Sequence, residues 1–174
     1  MSSLLSKSLE TLKITTQQDT DDFIGRPFKL VRPKRQPHIQ YYGYAASPDW
    51  LIQLVERYWP EALPDRDVKH YEDTAMTRAY ELIWHWSGIV TLDTKDCFNP
   101  PKGCSVPPEW ITAFDEDDED EEFEDIDIQT IHVYSVCSDL DDSFEERPTQ
   151  EEVDYMTKLF GHAPQWWVGC GIGD

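Results

Sequence analysis

Apolar and polar positions along this chain change period several times, and each change marks an element. After Ser47, Leu51, Leu54, Val55 and Tyr58 recur at three, four and seven residues, which is one face of a helix. Ser47-Pro48-Asp49 gives that helix its start: a capping hydroxyl, a proline at the first helical position and an acid in the first turn. Pro60 ends it. A longer helix is expected from Val68 to Trp86, with Tyr71, Ala75, Ala79, Leu82, Ile83 and Trp86 on its apolar face and Gly88 as its cap. A third opens at Thr149, where Glu152 completes a capping box. Val153, Met156, Leu159 and Phe160 form its apolar side, and Gly161 and Pro164 stop it.

Strand signals lie between the helices. Phe28 to Arg32, bounded by Pro27 and Pro33, suits an edge strand, and Ile39 to Tyr44 follows it across PKRQP as the second arm of a hairpin. Ile89 to Asp93 is a third candidate and Ile126 to Cys137 the longest. In the last, the alternation changes phase at Gln129-Thr130, so the strand is either buried on both faces or bulged there. The proline-rich stretch 96–108 is expected as a loop, Trp110 to Phe114 as a short apolar segment, and the tail QWWVGCGIGD is apolar and glycine-rich. Two strands at the start exclude the strict alternation of a doubly wound sheet. The pattern predicts an α+β fold, a small and mostly antiparallel sheet of about four strands with about three helices packed on one face.

The chain divides into a polar N-terminal tail or short helix at 1–22, with Leu5, Leu9 and Leu12 at helical spacing, and a single α+β domain at 23–174. Seven tryptophans and 13% aromatic residues supply an ordered core. The 174 residues suffice to bury roughly 70% of the unfolded surface.

Charge changes this picture at one place. Asp115, Glu116, Asp117, Asp118, Glu119, Asp120, Glu121, Glu122, Glu124, Asp125 and Asp127 form an insert broken only by Phe123 and Ile126, expected to be a disordered, solvated loop. A second acidic loop covers 138–147. Residues 115–146 hold sixteen acids and no Lys or Arg, so −16 of the net charge of −20 sits there. The remainder is nearly balanced, with nineteen acids and fifteen bases. Such a charge disfavours nucleic acid and anionic membrane as partners and favours a basic protein. A flexible run suits shielding a basic client better than rigid DNA mimicry. The basic segment Arg26–Arg35 either folds back onto the acidic loops or binds separately.

Chemical signatures are sparse. No G-x-S-x-G, G-x-G-x-x-G, Walker A or H-E-x-x-H pattern occurs. The acidic run lacks the glycine an EF-hand loop needs, and Cys97-x₆-Cys104 is wider than structural zinc spacing, so neither a metal nor another cofactor is expected. Cys97, Cys104, Cys137 and Cys170 are expected as reduced thiols. With no sustained apolar run at the start or elsewhere, a cytoplasmic location is expected, with the nucleus as the alternative.

The leading functional reading is a non-catalytic interaction module in which residues 115–127 supply encounter charge. Trp166 or Trp167, adjacent and on opposite sides of an extended segment, add a seat for a cationic side chain. One alternative is a small hydrolase or transferase using His132 as base, or Glu81 and His85, four residues apart on one helix. Another is a sugar or small-ligand binder built on exposed Trp. Ser138 and Ser143, each with an acid three residues on, resemble substrates of an acid-directed kinase.

Overall fold

The computed structural model describes residues 27–115 and 127–172. The described residues build four strands and five α-helices. In order these are β1 (His38–Ala45), α1 (Pro48–Tyr58), a 3₁₀ turn (Pro60–Ala62), α2 (Tyr71–Ser87), β2 (Asp93–Phe98), α3 (Pro108–Asp115), β3 (Thr130–Ser138), α4 (Asp141–Glu145), α5 (Gln150–Phe160) and β4 (Gln165–Ile172). All strand pairs are antiparallel. β1 lies between β3 and β4, β3 lies between β1 and β2, and the pair Cys97–Gly169 joins β2 to β4 and closes the ring. This is the α+β arrangement expected from the pattern.

Helices α1, α2 and α5 pack on one face of the sheet. Tyr44 and Tyr134 are opposite each other on β1 and β3, so their side chains share that face. They join Leu51, Leu54 and Val55 of α1, Ala79 and Ile83 of α2, and Met156 and Phe160 of α5 in one core. Each fully buried large apolar side chain there stabilises the fold by about 1.5–3 kcal/mol. Tyr44 stacks on Phe160 at 4.9 Å, and its hydroxyl donates to the Val153 carbonyl at 2.9 Å. A second, smaller core of Phe98, Trp110 and Cys170 lies under α3, with Val168, Ile128 and Val106 around it.

The caps behave as their residues require. Ser47 Oγ accepts the Trp50 amide, and the Thr149–Glu152 capping box is complete. Gly88 and Gly161 end their helices at φ +68° and +75°.

Several expectations are corrected. Phe28–Arg32 is not a strand: Pro27 makes one isolated bridge to Thr149, the Phe28 amide donates to Pro148, and three prolines within eleven residues leave too few donors for a ladder. The partner of β1 is instead the C-terminal segment, whose glycines mask a strand. At Gly169 a Cβ would lie 2.6 Å from the Tyr41 ring, so a larger residue there would force that ring to shift. The strand expected at Ile89–Asp93 begins where that stretch ends, at Asp93. Ile89 and Leu92 are core residues in the preceding turn. Helix α2 starts at Tyr71 rather than Val68, because His70 takes the left-handed conformation at φ 73°. Trp110–Phe114 is helical, within α3, and the second acidic loop contains α4.

Strand β3 is central and buried on both faces from Val133 to Ser138. Its bulge lies not at Gln129-Thr130 but at Val136, which is skipped between the pairs Tyr42–Cys137 and Gly43–Ser135. The backbones approach so closely at that point that a Cβ on Gly43 would sit 2.2 Å from the Tyr134 carbonyl oxygen.

Candidate functional site

The acidic arm after β3 is held by chemistry at its base and left open at its rim. Asp139 donates its amide to the Gln40 carbonyl, and its carboxylate accepts the Gln40 amide at 3.0 Å and Gln40 Nε2 at 3.3 Å. That carboxylate is therefore spent on β1. The Ser138 amide donates to Ser143 Oγ at 2.8 Å, tying α4 to the strand end. Asp141, Asp142, Glu145 and Glu146 are exposed.

Phe144 turns the opposite way. Its ring stacks on Trp166 at 6.5 Å and 15°, Trp166 lies 5.1 Å from Tyr42, and Tyr42 stacks on Phe28 at 5.6 Å. Two guanidiniums flank the Phe144 ring, Arg32 at 4.7 Å and Arg147 at 4.6 Å. Arg147 also donates to the carbonyls of Phe28 and Phe144, and Arg32 donates to Asp141 at 2.7 Å. Four chain segments thus meet in one aromatic row that fixes the arm. The Arg32–Asp141 pair is well exposed, with 77% of the Asp141 side chain open, and contributes little by itself. From the basic segment, Arg32 folds back onto acid, here onto Asp141 of the second loop. The arm carries five acids against the two charges of Arg32 and Arg147, which leaves it strongly negative.

Asp115 closes α3 and Asp127 is exposed before β3, whereas Glu116 to Asp125 lie outside the described residues. Trp166 and Trp167 point to opposite sides, as adjacent residues on a strand must. Both are half-buried. Trp166 belongs to the aromatic row, and Trp167 Nε1 donates to the Gly43 carbonyl at 3.2 Å. His132 Nδ1 lies 3.1 Å from Asp96 Oδ1 across the β2–β3 pair, and its ring meets Tyr134 edge-on at 5.8 Å. Glu81 is bonded to Arg78 at 2.6 Å, and His85 is exposed on the same helix.

Cys97, Cys137 and Cys170 are buried and Cys104 is exposed, all as free thiols. Burial pushes the Cys97 and Cys137 thiols up to about 12 and Cys170 to about 11. Among the described residues no three His, Cys, Asp or Glu side chains converge as for a metal ion.

A shallow depression of about 340 Å³ lies elsewhere, between α1 and the start of α2, lined by Asp49, Gln53, Glu56, Arg66, Tyr71 and Glu72 among others. The Tyr71 hydroxyl donates to Glu56 at 2.7 Å and, with Arg66, holds that carboxyl below the usual range. Neither this depression nor its neighbour around His70 includes His132, Glu81 or His85. Sequence reasoning missed Phe144, Arg32 and Arg147 as a unit. The signal available is one aromatic set within the acidic stretch DDSFEE, which has no reason to be there unless it anchors the stretch.

Set against protein-family models, curated proteins and solved structures, the chain matches none of them. No helix among the described residues is long and apolar enough to cross a membrane.

Proposed function

We propose that this protein is a non-catalytic interaction module that binds or shields a basic protein through its acidic loops. The observation that carries this reading is the anchored arm 139–146. Its carboxylates at Asp141, Asp142, Glu145 and Glu146 face solvent, while Phe144 fastens it to the sheet edge. Charges on a fixed support lose less entropy on binding than charges on a free tail. The neighbouring run 115–127 adds eleven acids, enough to steer a cationic partner over a Debye length of about 8 Å at physiological salt. The cell interior, cytoplasm or nucleus, is the proposed setting.

The test is deletion of 116–125 combined with Asp141→Asn, Asp142→Asn, Glu145→Gln and Glu146→Gln in the arm, followed by capture of basic proteins at low and high salt. Capture should fall with the combined change and with salt, while the circular dichroism of the domain stays unchanged. Equal capture by both proteins at low salt would defeat the reading. A second reading, hydrolysis or group transfer at His132, has one observation in its favour: Asp96 orients the imidazole as a general base requires. His132→Ala would abolish a screened activity without unfolding the chain if that reading holds.

A further inference from the structure

We propose that Ser143 is a phosphorylation site for an acid-directed serine/threonine kinase, and that Ser138 and Thr149 are not. All three residues carry an acid three positions on, Glu146, Asp141 and Glu152 respectively, so sequence alone does not separate them. Their surroundings do. Ser138 is 4% exposed at the end of β3, where its Oγ accepts the Leu140 amide. The Thr149 hydroxyl is held on both sides by Glu152, accepting its amide and donating to its carboxylate at 2.8 Å. Freeing that hydroxyl would dismantle the start of α5.

Ser143 differs in what supports it. Its Oγ also accepts an amide, that of Ser138 at 2.8 Å, but it is more open than Ser138 and, unlike either of the others, lies on α4, a helix of only five residues. Helix α4 and its flank are closed by the backbone bonds Phe144 to Leu140 and Glu146 to Asp142. Opening this short helix breaks those two bonds, the Ser138–Ser143 bond and the Phe144 anchor but leaves the main core intact, and such local opening lets the segment take the extended form that a kinase groove accepts. Acids flank it on both sides: Asp141 and Asp142 before it, Glu145 and Glu146 after it, all exposed. That is the complement of a basic substrate groove.

The step is ordinary phosphoryl transfer from ATP. Ser143 Oγ attacks the γ-phosphorus, a new O–P bond forms, the bridging bond to the β-phosphate breaks, and ADP leaves with its electron pair. The hydroxyl proton passes to the kinase's base. The product carries a bulky group on the oxygen that accepts the Ser138 amide, and adds about −1.5 to −2 charge among five carboxylates. Repulsion and the weakened bond should loosen α4 from β3.

The experiment treats the full-length folded protein with a purified acid-directed kinase of the casein-kinase type and ATP, and maps the sites by tandem mass spectrometry. A peptide spanning 136–150 runs in parallel. Phosphate is expected on Ser143 and on neither Ser138 nor Thr149 of the folded protein, with faster hydrogen exchange across 138–146 afterwards. Because Ser143→Ala removes a structural acceptor, the paired variant Glu145→Gln/Glu146→Gln tests recognition without touching the hydroxyl. It should slow incorporation at least about fivefold. Phosphate on Ser138 or Thr149 of the folded protein, labelling of the peptide but not of the protein, or labelling of neither would each overturn the proposal.

Discussion

Replacing Phe144 by Ala isolates the anchor that the interaction reading depends on. The ring is only partly buried, so the cost lies below the roughly 3–5 kcal/mol of a fully buried Phe→Ala change. Its stacking on Trp166 contributes about 0.5–1.5 kcal/mol, and each of the two guanidinium contacts about 0.5–1 kcal/mol at such exposure. These contributions overlap, because Arg147 keeps its bonds to the Phe28 and Phe144 carbonyls when the ring is gone. A loss of about 2 kcal/mol is expected, concentrated in α4. At 1.4 kcal/mol per decade, local opening should rise about 30-fold. Native-state hydrogen exchange reads this directly. The amides of Ser138, Phe144 and Glu146 should exchange about 30-fold faster, while that of Val153 in α5 should change much less. Tryptophan emission should shift as Trp166 loses its cover. Unchanged protection of those three amides would show that Phe144 does not hold the arm. An equal loss across α5 would show that the arm is part of the global core and not a separately anchored element.

Gly43→Ala places a Cβ against the Tyr134 carbonyl, so β1 and β3 must separate; a loss of about 2–3 kcal/mol is expected in urea unfolding, and a loss below about 0.5 kcal/mol would contradict the close approach. Burial pushes the Tyr44 phenol up to about 12, well above its unfolded value near 10, against the opposing pull of its bond to Thr157. The folded state therefore holds that proton where the unfolded state has lost it. The stability is fully present below pH about 10 and is lost as pH rises through about 12. Thermal unfolding of the wild type should steepen its decline over that window, and Tyr44→Phe should flatten part of it. A thiol reagent at neutral pH should modify Cys104 first and reach Cys97, Cys137 and Cys170 only on unfolding, as counted by intact mass.

Most of the helical framework was legible because its signals are local. Ser47-Pro48-Asp49 and the Thr149–Glu152 box specify helix starts through groups within four residues, and both caps form as their side chains dictate. The strands were less so, because strand pairing is decided by distant chain segments. The C-terminal segment reads only as an apolar, glycine-rich extended tail with no pairing partner, yet Gly169 there leaves room for the Tyr41 ring to lie over β4. Phe28 to Arg32 looks like a strand by composition, but its prolines leave it fastened by the Phe28 amide and by arginine. The sequence pattern places the start of helix α2 at Val68, because nothing local announces the left-handed turn at His70. The site shows the same divide. The acids are plain in the sequence, whereas their attachment brings Arg32 to Asp141 and Phe28 to Arg147 across more than a hundred residues, and Trp166 reaches Tyr42 only when β4 is placed beside β1.

The most direct test of a basic partner on the acidic arm is calorimetric titration with an arginine-rich peptide. Wild type is compared with the variant Asp141→Asn/Asp142→Asn/Glu145→Gln/Glu146→Gln at about 20 and about 200 mM salt. Binding by the wild type should weaken steeply with salt, and the neutralised variant should bind at least about tenfold more weakly at low salt with an unchanged unfolding midpoint. Equal affinity of the two proteins, or affinity indifferent to salt, would contradict the account.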